Sequence, residues 1–277
     1  MFTLQLLIST IDGGIANVPH MLLAPTEGVG YVVTWQMTGG TRFDQCPQQL
    51  LMRSDVKLLT MHQRGLSRSR NHCIDHASAD VCLVCDDDCR YTAAELRKVV
   101  EAFECDPELD MATFQMTVAG KQPGKAYPQK ATVLKPRLPK GYYLTSMELA
   151  FRLSAFKAHG LRFDEELGLG SPMLWCGEEE LLLHQAITAG MKCEFFPTVI
   201  VDTATPTTGS ARATLPQVIM GRGAFLGIVH PHTRHLRALK IALTLHRQHG
   251  VPILATLRHL LAGMAYYRRA TNSRKQC

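Results

Sequence analysis

After Asp202 the chain contains no aspartate or glutamate at all, yet those last 75 residues carry eleven lysines and arginines. The formal charge of the 277 residues is +6, so the first 202 hold 19 cations against 24 acids. The tail is a separate electrostatic object. No apolar run approaches the ~20 residues that cross a bilayer. The amino terminus lacks the basic segment and apolar stretch of a secretion signal. Nine cysteines are an odd number without framework spacing, so reduced thiols and a cytoplasmic location are expected. Repeats and low-complexity tracts are missing as well. What remains is an ordinary globular composition, 46% apolar, sufficient for one large domain with an appendage.

The apolar run LQLLIS (4–9) stops at Asp12-Gly13-Gly14 and reads as a buried strand followed by a turn. GYVVTWQM (30–37), VKLLTM (56–61) and VCLVC (81–85) read as the next three strands. Before the fourth, GLSRSRNHCIDHASAD reads as a helix capped by Ser67, with Cys73, Ile74 and Ala77 as its apolar stripe. Thr92 and Glu95 form a capping box that opens a helix over 92–110. DMATFQMTV follows as a strand. Residues 121–141 then form a basic, proline-rich loop with six lysines and arginines and no acid; loops of this length are usually functional or disordered. SMELAFRL (146–153) reads as a strand, with a helix capped at Thr145 as the competing reading. Residues 162–190 pass from glycine-rich to acidic to helical, ending at Gly190. KCEFFPTVIV (192–201) is the last strand, 206–228 reads as irregular, and 234–269 holds two amphipathic helices broken at Gly250. Strands alternating with helices imply a mostly parallel α/β sheet that binds ligands beyond its carboxyl ends. The expected division is a catalytic domain over 1–205 and a basic helical region over 206–277.

Asp86, Asp87 and Asp88 sit where the fourth strand ends. Three adjacent anions repel one another, and a hard cation such as magnesium or manganese would both relieve them and hold a diphosphate. A solvated acidic turn is the plainer alternative. Arg68 and Arg70 open a helix whose amino-terminal dipole attracts anions, so they could grip the same diphosphate from a second side, or simply face solvent. Glu178 and Glu179 also begin a helix, where the dipole favours carboxylates; their chemical reading is a general base for an attacking hydroxyl. Trp175 is either core or a stacking face for a sugar ring. Cys82, Cys85 and Cys89 hint at zinc, but a strand points the first two to opposite faces, which favours buried thiols.

In this order, the first strand, G-L-S-R-S-R-N, the strand ending in D-D-D, F-D-E-x-L-G-L-G and G-E-E before a helix resemble the inverting glycosyltransferases of family 2. The likeness covers roughly residues 4–202. It implies a GT-A fold, a UDP-sugar donor, and Mn or Mg bridging the diphosphate to a DxD-type motif. The resemblance makes Asp86 and Asp88 the motif acids, Asp88 being the better direct metal contact. It makes Glu179 the catalytic base with Glu178 as runner-up. It also suggests Thr10, Gln36, Arg68, Arg70, Asp86 and Asp87 as donor-binding residues and Asp164 and Trp175 as acceptor contacts. Many relatives place a metal-binding histidine after the last strand; here Asp202 stands there, with His230 or His232 as substitutes. A single displacement would invert the anomeric centre. The family's usual setting, surface glycan synthesis such as O-antigen or capsule, adds a saccharide acceptor, which could be lipid-linked.

The tail fits two pictures. Its helices, with Leu236, Leu239 and Leu243, then Leu254, Leu257, Leu261 and Met264 on apolar faces, either pack on the catalytic domain or lie on an anionic membrane at the inner face of the plasma membrane. No nucleic-acid module is recognisable. Two rival functions remain. A nucleotidyltransferase would need a basic glycine-rich loop after the first strand, and Asp12-Gly13-Gly14 has no Lys or Arg nearby. A non-catalytic nucleotide-sugar-binding protein would not need Glu178 and Glu179.

Overall fold

The computed structural model describes residues 2–205 and 211–274. Two compact units emerge. Of the described residues, the first comprises 2–64, 68–162 and 182–205; the second gathers 65–67, 163–181 and 211–274. The expected division at 205/206 therefore differs from this grouping for residues 65–67 and 163–181.

The first unit is built on strands β1 (Leu4–Ile11), β2 (Val29–Gln36), β3 (Val56–Met61), β4 (Val81–Asp86), β5 (Cys89–Arg90), β6 (Met111–Val118), β7 (Thr132–Val133), β8 (Leu149–Arg152) and β9 (Cys193–Thr203). They form one sheet in the order β3-β2-β1-β4-β8-β6-β9-β5, with β7 pairing on β9. β3, β2, β1 and β4 are mutually parallel, β6 is parallel to β9, and β8 lies antiparallel between β4 and β6. Strands covered on both faces read as continuous apolar runs. That is why LQLLIS and VCLVC show no alternation. One face, with Leu6, Ile8, Val33, Trp35, Leu83 and Cys85, belongs to a core cluster that also takes in Leu96, Val99 and Phe103 of α3 (Ala93–Cys105). The opposite face receives Cys73 of α2 (Leu66–His76), whose thiol reaches the Thr34 hydroxyl at 3.1 Å. Ahead of both helices in sequence, α1 (Gln48–Leu51) is a single turn.

Local signals explain several boundaries. The Thr92 hydroxyl accepts from the Glu95 amide at 3.2 Å while the Glu95 carboxylate accepts from the Thr92 amide at 2.7 Å, the expected capping box. Residues 146–153 divide both readings between them. Ser146–Glu148 is a 3-10 turn closed by Thr145 and Glu148, β8 follows, and α4 (Leu153–Ala158) begins at once. The basic loop is ordered. Lys125 is buried against the buried carboxylate of Glu148, which also accepts from the Tyr127 and Thr145 hydroxyls. A buried ion pair tolerates desolvation only when its remaining polar atoms are also satisfied, as they are here.

α5 (Glu178–Thr188) starts in the second unit, which continues with α6 (Pro216–Val229), α7 (Arg234–His249) and α8 (Ile253–Arg274). The expected irregular segment 206–228 is corrected by α6, which covers its described second half. Glycines obscured it. A Cβ on Gly223 would lie 2.1 Å from the Leu260 carbonyl, and one on Gly263 1.9 Å from the Met220 carbonyl. α6 and α8 thus cross backbone to backbone, and the glycines that lower helix propensity are what permit the crossing. Gly250, at φ +70°, ends α7 where the break was expected.

Replacing Gly263 by leucine is expected to lower stability by at least about 2 kcal/mol through overpacking. Gly13→Ala, with open space around its Cβ, serves as the control. Urea unfolding of the two variants checks this.

Candidate active site

Moving outward from β1, the chain places β2 and β3 on one side and β4 on the other. Parallel sheets bind ligands at such a switch point, beyond the carboxyl ends of the strands. Asp86 is the last residue of β4 and pairs in register with Ser9 of β1. Asp87 and Asp88 make the turn into β5, so the acidic cluster stands at the switch point.

Each carboxylate has its own partner. Arg70 is sealed in the first unit, its side chain 1% exposed, and donates from Nη2 to Asp86 Oδ1 at 3.1 Å and to Ser146 Oγ at 2.6 Å. Of the two arginines read as gripping a diphosphate or facing solvent, Arg70 is buried and holds the aspartate in place, whereas Arg68 stays half-buried. Asp87 Oδ2 accepts from the Thr10 hydroxyl at 2.5 Å. It leaves no room for a side chain at residue 14, where a Cβ would come within 2.2 Å of it, so Gly14 lets the first turn close over the carboxyl. Burial, reinforced by the charges of Asp86 and Asp88 and opposed by Thr10, pushes the Asp87 carboxyl up to about 6. Asp88 Oδ2 accepts from Thr205 Oγ1 at 2.7 Å. Of the residues expected to meet the nucleoside, Thr10 therefore spends its hydroxyl on Asp87. Gln36 is buried at the end of β2, in register with Ile11 and Met61.

Asp12 has a larger part than a turn residue. At φ +45°, its Oδ1 accepts from the amides of Thr38 and Gly39 at 2.7 and 2.8 Å and from the Thr41 hydroxyl at 2.9 Å, while its carbonyl accepts from Trp35 Nε1. Burial opposes ionisation, but these donors outweigh it and hold the carboxyl below its usual range. The carboxylate ties together the loops after β1 and β2 at the switch point.

Among the described residues, no three His, Cys, Asp or Glu side chains gather where they could hold a metal ion. Of the expected ligands Asp86, Asp88 and Asp202, the last lies on β9 and is engaged by the turn after β6. Asp202 Oδ1 accepts from the Thr117 hydroxyl at 2.5 Å and the Gly120 amide at 2.8 Å, closing the turn after β6. The histidine substitutes lie in the second unit, His230 packed edge-on against Phe225. Asp86 and Asp88 alone still suit magnesium or manganese, which commonly takes one or two carboxylates and completes its shell with phosphate oxygens and water. Cys82, Cys85 and Cys89 are buried, with the Tyr91 hydroxyl donating to the Cys85 sulfur at 3.0 Å; they are core thiols.

The remaining candidates belong to the second unit. Asp164 Oδ2 accepts from the Tyr267 hydroxyl at 2.5 Å and Oδ1 from the Glu166 amide, which fixes the start of the 163–181 segment to α8. Trp175, half-buried, donates from Nε1 to the Ser171 carbonyl and from its amide to the Gln217 carbonyl of α6. Glu178 is buried next to Gly168, where a Cβ would lie 3.1 Å from its Cδ. Gly168 has φ +97°, a second reason for glycine there. Glu179 is more open than Glu178. Ser146 and Thr205 carried no signal in the sequence, because their partners are 76 and 117 residues away.

Residues 44–163 match the family model described as Glycosyl transferase family 2. They are a family 2 glycosyltransferase domain. The matched range contains Arg68, Arg70 and all three aspartates and stops before Asp164, Trp175 and the glutamates. The glycosyltransferase also has the GT-A fold. It is similar to S. aureus TarS residues 1–349 at 14% identity, over 97% of this chain and 92% of that one, with a TM-score of 0.60. The TarS 1–349 complex with UDP-GlcNAc gives 0.61 over the same shares at 14% identity. The longer S. aureus TarS chain gives 0.61 at 14% identity, over 89% of this chain and 44% of that one. No curated protein sequence matches the glycosyltransferase.

The raised Asp87 pKa sets a pH dependence. A carboxyl held at about 6 when folded, against 3.8 unfolded, favours the folded state fully below about pH 4 and loses that contribution as pH rises through 6. Asp87→Asn is therefore expected to stabilise the glycosyltransferase at pH 8 relative to pH 5, by up to about 1 kcal/mol after discounting for solvent screening. Denaturant melts of both proteins in EDTA at the two pH values read this difference.

Proposed function

We propose that this glycosyltransferase moves a sugar from a UDP-sugar to a saccharide acceptor, lipid-linked and destined for a cell-surface glycan, in one inverting displacement that depends on a divalent cation. The observation that carries the reading is the strand-end acidic turn at the switch point of the sheet, with Asp86 held by a buried arginine. Such an arrangement keeps negative charge where a cation and a diphosphate need it, and it pre-pays the cost of orienting the carboxylate. The similarity in fold to a protein solved with UDP-GlcNAc supports the same donor class.

Asp86 and Asp88 would hold magnesium or manganese, which, when bound, neutralises charge on the departing UDP. Arg70 orients Asp86 and keeps one of its oxygens engaged, leaving the other for ligation. Thr10 and Gly14 position Asp87 so that the turn presents its two neighbours. Asp12 fixes the loop after β2, beside the strand end expected to meet the nucleoside. On the acceptor side Glu179 would take the proton from the attacking hydroxyl at its carboxylate oxygen. Its greater openness favours it over buried Glu178, which is better suited to shaping the loop beneath Gly168. Trp175, braced by Ser171 and Gln217, would offer its ring to the acceptor sugar. Through the basic tail the protein would meet anionic lipid at the cytoplasmic face of the membrane, where a lipid-linked acceptor resides; no described helix is long and apolar enough to cross a membrane.

Transfer from UDP-sugars, measured with and without manganese, tests this. Glu179→Gln is expected to lower kcat by about 10²–10⁴ while leaving the donor KM within a few fold. Asp88→Asn is expected to abolish manganese stimulation. Equal turnover in EDTA, or an unimpaired Glu179→Gln, would contradict the mechanism.

A further inference from the structure

The second unit contains a groove that the proposed mechanism leaves unused. It measures about 640 Å³ and is lined by Met173, Pro216, Gln217, Met220, Leu254, Ala255, Arg258, His259 and Ala262. Most of this lining is apolar, and it stays open. Leu254 is 81% exposed and Met173 37% exposed, which costs free energy unless something covers them. A groove of this size is in the range that holds a small ligand. Its polar members are an amide, an imidazole and an exposed guanidinium, with no carboxylate among them, and the chain offers none after Asp202.

We infer that this groove binds the single hydrocarbon chain of a lipid phosphate, with the phosphate at Arg258 and His259. Both halves of the ligand follow from the lining. Apolar side chains left open call for an apolar occupant, and a cation in a lining that holds no carboxylate calls for an anionic head. The groove also joins the part of the chain proposed to handle the acceptor. Met173 is six residues before Glu179, and Gln217, another lining residue, accepts the Trp175 amide at 3.2 Å. The inference rests on the proposed lipid-linked acceptor and deepens it, giving that acceptor's chain a seat in the same unit as the proposed base.

Calorimetric titration of the full chain with octyl, decyl and dodecyl phosphate, each below its micelle concentration, tests the assignment. Saturable binding at one site is expected, strengthening about fourfold per added methylene, which is ~0.8 kcal/mol of apolar burial. Ala255→Phe, which fills the groove, should weaken dodecyl phosphate at least tenfold. Arg258→Gln should weaken it several fold while leaving an uncharged dodecyl glycoside unaffected. UDP binding by the same preparations reports that each variant is folded and whether the donor reading holds. Inorganic phosphate binding as tightly as dodecyl phosphate, no dependence on chain length, or undiminished binding to a folded Ala255→Phe would overturn the inference, and retained UDP binding in that case would leave the donor reading standing. Loss of UDP binding in the wild type would sink the donor reading independently.

Discussion

One buried arginine organises the acidic end of the sheet. A guanidinium with 1% of its side chain exposed can be kept charged only if its hydrogen bonds are supplied from fixed positions, and Asp86 and Ser146 supply two of them. The constraint also runs outward. Because Arg70 is anchored in α2 and Asp86 ends β4, the carboxylate cannot swing away from the switch point to relieve repulsion from Asp87 and Asp88. The cluster stays negative, oriented and partly open, which is the state a cation-binding turn requires.

The neighbouring elements serve the same end. Asp87 is taken inward by Thr10 over the bare Cα of Gly14, so the turn cannot flatten. The turn holding Ser146 also holds Glu148, whose carboxylate buries Lys125 and secures the long basic loop. One short turn thus ties the loop to the residue that restrains Asp86. In the second unit the glycines of α6 and α8 allow a close crossing, and the segment carrying Trp175 is fastened to α6 by a backbone hydrogen bond. Function in this reading depends on rigid placement of ordinary groups.

The sequence showed the long strands, the capping box at Thr92 and the acidic turn plainly, because their signals lie within a few residues: uninterrupted apolar runs, Thr and Glu three apart, and adjacent carboxylates, whereas the two-residue strands β5 and β7, the latter inside the expected loop, were not read. The burial of Arg70 was not legible. A guanidinium near a helix start reads as solvated unless its partners are known, and Ser146 is 76 residues distant. The hydrogen bonds of Asp202 were hidden for a similar reason: Thr117 and Gly120, which donate to its Oδ1, are more than 80 residues away. α6 was hidden by glycines that count against a helix locally and are needed only because α8 crosses there. In each case the missing information was a long-range contact.

Calorimetric binding of UDP to the wild type and to the near-isosteric Asp86→Asn, with and without manganese, examines the central claim most directly. The account predicts that manganese tightens UDP binding to the wild type at least tenfold and that Asp86→Asn removes this enhancement. Equal affinity with and without the metal, or an undiminished enhancement in Asp86→Asn, would contradict it.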